Sequence, residues 1–373
     1  MTPIRRPSPS PRPSIQDPSL CRPDWTQSQR RRSDILWLDK NENVDPGIHA
    51  IAQRVLANMD PAAIFSYPDC APLYQQLAQS EGIAVQSLLL TAGSDGAIRT
   101  VFETYISPGD KVLLPAPTFA MYPLYCKMFG AEARILAYER SASGPHLPVE
   151  RILTALAREQ PKMLCLPNPD SPTGTVFWPD ALQCILDAAA AMGTLVLVDE
   201  AYYPFYENTV APQTAVSPHL IVARTFSKAW GLAGLRLGYL IALPEVVGLL
   251  HKVRPMYEVN TVGVAIAMGM LAAKDEVMQS VGRLQQGKVA FQQAARALGL
   301  STYESYGNFF HVAFGSHTQA VHAALREIVL YRLDFTEPCL AGYSRFSAAP
   351  PGLLKPVMQA IEDVVRPGRK PYG

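Results

Sequence analysis

The sequence predicts an α/β protein whose large domain holds a mostly parallel sheet sandwiched by helices, joined to a smaller α+β domain. Three observations indicate this fold. Short apolar runs alternate with helical patterns from Ile35 onward, polar residues follow each run, and 48% hydrophobic content over 373 residues supports a sizeable core. Strands that alternate with helices form parallel sheets covered on both faces. We expect the large domain at residues 59–257 and the small domain at residues 34–58 and 258–373.

Residues 1–33 precede this alternation and differ from it in composition. They are rich in proline, serine and arginine, with seven arginines and two aspartates, and they lack apolar periodicity. Such a segment cannot offset the entropy of its own ordering, so we expect a flexible N-terminal arm. The whole chain has a formal charge of only +1, which argues against a nucleic-acid or membrane-surface partner.

Five apolar runs are predicted to be strands of the large sheet: Leu88–Leu90, Val112–Leu114, Met163–Leu166, Leu195–Val198 and Leu220–Ala223. In parallel sheets, ligands bind beyond the carboxyl ends of the strands. The polar residues that follow the runs should therefore meet at one site. They are, in order, Gly93–Gly96, Pro117–Phe119, Asn168-Pro169, Asp199–Tyr202 and Thr225–Lys228.

The spacing of the cysteines and the length of the apolar stretches indicate the cellular compartment. The six cysteines are scattered without the short spacings of metal or redox motifs, so we expect free thiols and no metal site. Residues 261–273 are too short to span a bilayer and are expected to form a buried helix. The start of the chain lacks the apolar core of a secretory signal, which favours the cytoplasm. An organellar transit peptide is the alternative, although the prolines disfavour its amphipathic helix.

Asp199 and Lys228 are the strongest candidates for chemistry. Asp199 directly follows an apolar strand, where a carboxylate is costly unless a cation meets it. The protonated ring nitrogen of pyridoxal phosphate would be such a cation, and a helix N-cap is the alternative role. Lys228 stands beside Ser227 and ahead of Arg236. An amine in a dry cleft near other cations has a lowered pKa, as formation of a Schiff base requires.

Two segments could bind a phosphate together. Ser94 and Asp95 stand where a strand turns into a helix, so backbone amides and the helix dipole can receive an anion there. Thr225, Ser227 and Arg236 would approach from the other side. The glycines after Lys228 do not have the spacing of a dinucleotide-binding fingerprint, which argues against a nucleotide.

These motifs together resemble the class I/II, fold type I pyridoxal-phosphate-dependent aminotransferases, most closely the histidinol-phosphate aminotransferase-like branch. The matching motifs are Leu38–Asn43, Tyr67–Asp69, Gly93–Asp95, Asn168-Pro169 with Pro172–Gly174, Asp199–Tyr202, Ser227-Lys228 and Gly234–Arg236. The resemblance covers residues 38–364. It implies the aspartate-aminotransferase fold, pyridoxal 5'-phosphate bound by the large domain, and a homodimer with shared active sites.

The resemblance also implies a role for each matching residue. Lys228 would hold the cofactor and act as general acid and base, Asp199 would pair with the ring nitrogen, and Asn168 and Tyr202 would bond the ring hydroxyl. Phe119 would stack on the ring. The implied phosphate ligands are Ser94, Asp95, Thr225, Ser227 and Arg236, with Tyr67 reaching across from the partner subunit.

The substrate end departs from the family pattern. Arg345 matches the arginine that binds the substrate α-carboxylate, Arg332 matches a second arginine at the far end, and Asn43 is a third candidate contact. However, Val44-Asp45 stands where the family has proline, and Asp170-Ser171 replaces the usual Asn-Asn. No tyrosine precedes Tyr67, so Trp25 is the candidate for the missing contact.

The resemblance implies transamination between an amino donor and a 2-oxo acid, in amino-acid biosynthesis. The same cofactor site could also support other chemistry. The alternatives are a threonine-phosphate-decarboxylase-like lyase, a pyridoxal-phosphate-dependent oxidase, and a regulator that keeps the fold without turnover. The regulator is disfavoured because residues 1–33 are too short to form a DNA-binding domain.

Overall fold

The described residues form three hydrophobic cores, one on each face of a large sheet and one in a smaller part of the fold. The computed structural model describes residues 10–21 and 32–366. Its strands are β1 (Leu36–Trp37), β2 (Leu88–Thr91), β3 (Lys111–Ala116), β4 (Glu132–Ala137), β5 (Glu139–Ser141), β6 (Gly144–His146), β7 (Met163–Pro167), β8 (Leu195–Asp199), β9 (Leu220–Thr225), β10 (Gly238–Ile241), β11 (Ser301–Tyr303), β12 (Phe309–Ala313), β13 (Val329–Leu330) and β14 (Ser344–Ser347).

Helices connect these strands. They are α1 (Pro46–Asn58), α2 (Ala71–Glu81), α3 (Gly93–Tyr105), α4 (Met121–Phe129), α5 (Val149–Glu159), α6 (Pro179–Ala191), α7 (Pro244–Leu250), α8 (Thr261–Ala272), α9 (Lys274–Ala297), α10 (Thr318–Leu325) and α11 (Pro351–Val365). Asp45 explains one departure from the family pattern, because its carboxylate accepts from the Gly47 amide and caps α1. The predicted buried helix at residues 261–273 is α8.

A seven-stranded sheet has the order β2-β10-β9-β8-β7-β3-β4. Only β10 runs antiparallel to its neighbours, so the sheet is mostly parallel as predicted. All five predicted strands are confirmed. The sequence did not predict β4, an edge strand with mostly exposed residues, or β10, which is short and begins at a glycine.

The strand residues alternate between two separate cores. In β2, Leu88 and Leu90 pack in the core on one face, whereas Leu89 packs in the core on the other. Successive strand side chains point to opposite faces, so an unbroken apolar run requires cover on both. Helices α2, α5 and α6 contribute to the first core, and α3, α4 and α7 contribute to the second. The predicted sandwich is thus confirmed.

The smaller part of the fold is α+β. Strand β12 lies between β11 and β14 in an antiparallel sheet, and β1 pairs with β13. Helices α9 and α11 pack together beside this sheet, and their core includes Phe291, Phe310 and Phe346. Through the pairing of β1 with β13, the segment before α1 contacts the region after α8. The exact domain boundaries stay a prediction.

Part of the predicted arm contacts the large domain. Ser14 Oγ donates to the Met128 carbonyl at 3.0 Å, and Lys127 Nζ donates to Ser19 Oγ at 2.8 Å, so residues 10–21 lie along α4. Most of the remaining arm, including Trp25, falls outside the described residues, and its mobility stays a prediction. Of the helices in the described part of the chain, none has the length and apolar character needed to cross a membrane.

A buried ion cluster joins the ends of β8 and β9. The Arg224 guanidinium lies 2.8 Å from Glu200 and 2.6 Å from Glu81, and it stacks over the Tyr203 ring at 3.6 Å. Arg224 is 2% exposed. One buried carboxylate, one partly buried carboxylate and a cation-π contact thus surround a single guanidinium.

Candidate active site

A cavity of about 610 Å³ opens at the carboxyl ends of the central strands. Most of the residues that the sequence singled out line it: Ser94, Asp95, Phe119, Asp199, Tyr202, Thr225, Ser227, Lys228, Arg236, Arg332 and Arg345. Three do not line it, namely Tyr67, Asn168 and Asn43. The expectation that polar strand ends converge is therefore met, and the exceptions have identifiable physical reasons.

Lys228 lies just beyond the end of β9, with its amine at the cavity wall. Its Nζ donates to the Lys40 carbonyl at 2.8 Å. Burial, together with the smaller effect of the nearby Arg345 guanidinium, lowers the pKa of Lys228 to about 8. The direction agrees with the sequence-based expectation. A lower pKa increases the neutral fraction of the amine, which is the form that can act as a nucleophile.

Asp199 is the last residue of β8 and is 5% exposed. Burial raises its pKa to about 6, although the Tyr122 hydroxyl, 3.1 Å from Oδ2, partly offsets this effect. Turns rather than a helix follow Asp199, so it is not a helix N-cap. No salt bridge joins Asp199 to a cation within the described ranges. A cationic ligand group would stabilise the ionised carboxylate here.

The anion-binding end of the cavity is built from two backbone segments. Ser94 and Asp95 lie in the first turn of α3, and Arg236 reaches the Ser227 hydroxyl at 3.4 Å. The segments approach so closely that a Cβ at Gly238 would lie 2.7 Å from the Ser94 amide nitrogen. Only glycine permits this approach. Amides, hydroxyls and a guanidinium thus surround a space suited to a phosphate.

Asn168 does not face this cavity. Its side-chain oxygen accepts from the Phe177 amide at 2.8 Å, and its Nδ2 donates to the Phe177 carbonyl at 3.3 Å. The Asn168 side-chain amide therefore bonds the backbone of Phe177, away from the cavity. Ser171 lines the cavity instead and contacts the Tyr202 hydroxyl. The sequence signal for Ser171 is its position directly before Pro-Thr-Gly, where the family usually has asparagine.

Asn43 is also occupied elsewhere. Its Nδ2 donates to the Ala229 carbonyl at 2.9 Å and to Ser280 Oγ at 3.1 Å, which ties the chain before α1 to the neighbouring helix. Asn43 does not line the cavity, so its position does not support the expected contact with the substrate. Asn41, two residues earlier, lines the cavity and donates to the Tyr202 hydroxyl. The two asparagines of one motif have different surroundings.

Arg345 and Arg332 lie side by side at the substrate end. Their backbones pair in both directions, at 3.0 and 2.9 Å. Arg345 donates to the Asp39 carbonyl at 2.8 Å and to Ser171 Oγ at 3.3 Å, and the Arg332 guanidinium lies over the Phe335 ring. In the described part of the chain, neither arginine forms a salt bridge with a carboxylate. Two guanidinium groups are thus available to an anionic ligand.

Asp170 and Tyr122 are further residues that the sequence did not assign. Asp170 is fully buried and accepts from the Thr118 hydroxyl at 2.7 Å, directly before the cavity residue Phe119. Burial raises the pKa of Asp170 to about 8. Tyr122 supports Asp199 from α4, three residues after Phe119. Both depend on contacts between distant segments, which no local pattern reveals.

The residues fit pyridoxal phosphate. A buried carboxylate that forms no salt bridge in the described part of the chain suits the ring nitrogen, an amine of lowered pKa suits covalent attachment, and a glycine-lined cradle suits the phosphate. When bound, this cofactor withdraws electrons from the carbon that bears the substrate amine. The unpartnered Oδ1 of buried Asn41 is a further polar atom at the cavity.

Comparisons with known proteins agree with this geometry. The family model of the class I and II aminotransferases matches residues 33–361. A histidinol-phosphate aminotransferase from Symbiobacterium thermophilum is 35% identical over 80% of this chain and 82% of its own, and one from Bordetella bronchiseptica is 34% identical over the same shares.

Solved structures share the fold. A histidinol-phosphate aminotransferase from Sinorhizobium meliloti in complex with pyridoxal-5'-phosphate has a TM-score of 0.76 at 24% identity, over 90% of this chain and 92% of that one. An aspartate aminotransferase double mutant from Thermus thermophilus has a TM-score of 0.72 at 20% identity, over 89% and 92%. The fold is thus aspartate-aminotransferase-like.

The sequence relatives favour transamination over the lyase, oxidase and regulator alternatives. An aminotransferase moves an amino group between an amino donor and an oxo acid, and the cavity is lined by an amine of lowered pKa and a buried carboxylate. The chain belongs to the class I and II aminotransferase family and is a pyridoxal-phosphate-dependent aminotransferase.

Proposed function

We propose that histidinol phosphate is the amino donor and a 2-oxo acid the acceptor. The observation that carries this proposal is the pair Arg345 and Arg332, which lie together at the cavity without carboxylate partners among the described residues. A phosphate monoester carries between one and two negative charges at neutral pH. It can therefore engage both guanidinium groups, whereas a single carboxylate needs only one. The names of the sequence relatives support the same donor.

Specificity constants for three substrate classes test this proposal. Arg332→Ala should lower kcat/KM for histidinol phosphate by roughly 30- to 1,000-fold, the loss of a charge-assisted contact to a buried anion. Aromatic amino acids should lose little with Arg332→Ala but much with Arg345→Ala, because we assign their α-carboxylate to Arg345. Acidic amino acids form the third class. Arg140→Ala is the matched control, since Arg140 bonds the Ala341 carbonyl outside the cavity. Equal losses across the three classes after Arg332→Ala would contradict the proposal.

We infer that Lys228 attaches the cofactor and moves the proton between the substrate carbon and the cofactor. Its position at the cavity wall and its lowered pKa support both roles. Asp199 would hold the ring nitrogen protonated, Tyr202 would donate to the ring hydroxyl oxygen, and Phe119 would cover the ring. The phosphate ligands would be Ser94, Asp95, Thr225, Ser227 and Arg236.

Replacement of the amine tests the first role. Lys228→Ala should abolish turnover and the visible absorbance band of the attached cofactor, because no other lysine that lines the cavity has its amine at that position. A retained band would refute the assignment. With the wild-type enzyme, a donor should leave pyridoxamine phosphate after denaturation of the protein, whereas a simple decarboxylation returns the aldehyde.

We propose that two subunits form a dimer and share their active sites. Tyr67 does not line the cavity of its own subunit, is 75% exposed, and stacks on Tyr257 at 4.0 Å. Phe65 and Met256 nearby are 85% and 79% exposed. An exposed apolar patch of this kind is typical of a subunit interface. The patch supports contact of Tyr67 with the partner's cofactor phosphate.

Mixed dimers test the shared site. A heterodimer of Tyr67→Phe and Lys228→Ala subunits has one site with both substitutions and one site with neither. Such a heterodimer should recover activity when the Tyr67→Phe homodimer is impaired. If it recovers none, Tyr67 does not act across the interface.

We also propose that the enzyme acts in the cytoplasm, in amino-acid biosynthesis. All six cysteines are free thiols in the structure, and three of them are buried. Unpaired cysteines are typical of a reducing compartment. Microscopy of the full-length chain with a C-terminal fluorescent tag tests the location, and a signal confined to an organelle would favour the transit-peptide alternative.

A further inference from the structure

Asn41 is fixed by several hydrogen bonds, and no role has yet been assigned to it. It is 2% exposed, its backbone N–H donates to Ser347 Oγ at 2.8 Å, and its backbone carbonyl accepts from Asn308 Nδ2 at 2.9 Å. Its φ is +56°, in the left-handed region that few residues other than glycine and asparagine adopt. Its Nδ2 then donates to the Tyr202 hydroxyl at 2.8 Å. Backbone contacts on both sides thus aim one side-chain amide at one hydroxyl.

Four polar side chains form a continuous row along the cavity, which we call the hydroxyl row: Arg345, Ser171, Tyr202 and Asn41. Arg345 Nη1 donates to Ser171 Oγ at 3.3 Å, and the Ser171 hydroxyl contacts the Tyr202 hydroxyl. All four residues line the cavity. The two ends of the row are a guanidinium and an amide NH₂, which can only donate.

The donors at the ends determine where the hydroxyl protons point. Because Arg345 and Asn41 both donate inward, Ser171 and Tyr202 must both accept from their outer neighbours. The Asn41 NH₂ has no acceptor, so the Tyr202 O–H cannot point toward Asn41 Nδ2. Burial raises the pKa of Tyr202, so its hydroxyl keeps its proton at neutral pH despite the Arg345 charge, with Asp199 acting in the same direction as burial. The Tyr202 O–H therefore remains available for an acceptor other than Asn41.

We propose that Asn41 is a positioning residue that turns the Tyr202 hydroxyl proton into the cavity, toward the ring oxygen of the cofactor. The inference rests on the proposed role of Tyr202. If position 41 accepted instead of donating, Tyr202 would give its proton to that residue and would lose it as a donor to the ligand. Asn41 thus acts on the reaction through Tyr202, without itself contacting the reacting atoms.

Three variants of the cofactor-loaded enzyme test this inference. Asn41→Gly removes the amide, adds no charge and permits a φ of +56°. Tyr202→Phe removes the hydroxyl, and the third variant combines both. A donor to the ring oxygen stabilises its anionic form and weakens the hold on the neighbouring imine proton. The pH at which the visible band of the bound cofactor is half-changed should therefore rise by about one unit in Asn41→Gly, the size of one lost hydrogen bond.

The double substitution separates positioning from folding. Asn41→Gly should lower kcat about tenfold with KM changed less than about twofold, and it should have almost no further effect in the Tyr202→Phe background. An equal further loss in that background, or an unchanged pH midpoint in Asn41→Gly, would overturn the inference. If Tyr202→Phe itself leaves the band unchanged, the proposed role of Tyr202 fails, and the inference fails with it.

Two further variants guard against a folding defect. Asn41→Asp keeps the size of the side chain and tolerates the positive φ, but its carboxylate can only accept, so it should show the same loss of kcat. Wild-type kcat and pH midpoint in Asn41→Asp would show that Tyr202 donates to position 41, which contradicts the inference. Asn58→Gly, at the exposed end of α1, is the matched control and should leave both quantities unchanged. Thermal melting of every variant monitors the fold.

Discussion

The rate at which the Lys228 amine reacts with pyridoxal phosphate should depend on pH with a midpoint near 8. An ordinary lysine, with a pKa of 10.5, would give a midpoint well above this. Burial disfavours the charged ammonium, and the Arg345 guanidinium disfavours it further. The neutral amine is the nucleophile, so the rate should rise with pH through about 8 and level off above it. At pH 7 roughly one tenth of the amine is neutral, against about three in ten thousand for a pKa of 10.5, an advantage of about 300-fold.

Stopped-flow absorbance of cofactor-free protein mixed with pyridoxal phosphate measures this rate across pH. A lysine analogue in solution provides the reference for ionisation of the cofactor itself. Arg345→Gln removes the neighbouring cation, so its midpoint should move to higher pH. Arg140→Gln, outside the cavity, should leave the midpoint unchanged. A wild-type midpoint near 10, or one insensitive to Arg345→Gln, would refute the reasoning.

Three further substitutions address the carboxylate, the ion cluster and the glycine cradle. Asp199→Asn should keep the cofactor but lower kcat roughly 100- to 1,000-fold in single-turnover absorbance, because a neutral amide no longer holds the ring nitrogen protonated; near wild-type kcat would contradict this. Arg224→Met leaves two glutamates unpaired and should lower the free energy of unfolding by about 3–5 kcal/mol in urea, against less than about 1 kcal/mol for the exposed Arg54→Met. Gly238→Ala should weaken cofactor binding at least about tenfold in equilibrium dialysis, since its Cβ would meet backbone at 2.6 Å; Gly282→Ala, with open space around it, should not.

The sequence predicts the cofactor end of the site better than the substrate end for a physical reason. Asp199 and Lys228 follow apolar strands directly, so hydrophobic pattern and strand position together place them at the cavity. Asn168 also follows a strand, yet its amide bonds the backbone of Phe177, nine residues later. Hydrogen bonds between separate loops have no local signature, which is also why Ser171 and Asn41 were not assigned.

The same limit applies to the fold. Continuous apolar runs indicate strands that are buried on both faces, and all five such runs are strands of the central sheet. Strand β4 has one buried residue in six, so its composition resembles a loop. Strand β10 is fully buried but short, and its place between β2 and β9 depends on pairing between distant segments.

The buried charges of Arg224 and Glu200 lie close to the cavity, and their pairing stabilises the strand ends that form its wall. Adjacent residues at a strand end point to opposite faces. Asp199 and Thr225 line the cavity, whereas their neighbours Glu200 and Arg224 pair at 2.8 Å on the other side. That buried pair connects the ends of β8 and β9, and a further bond joins the Glu200 amide to the Ala223 carbonyl at 2.8 Å. These contacts, on the face opposite the cavity, therefore fix the distance between Asp199 and the loop that carries Lys228. Within the described residues no side chain forms a salt bridge with Asp199, which supports the proposal that the ring nitrogen of the cofactor is its cationic partner.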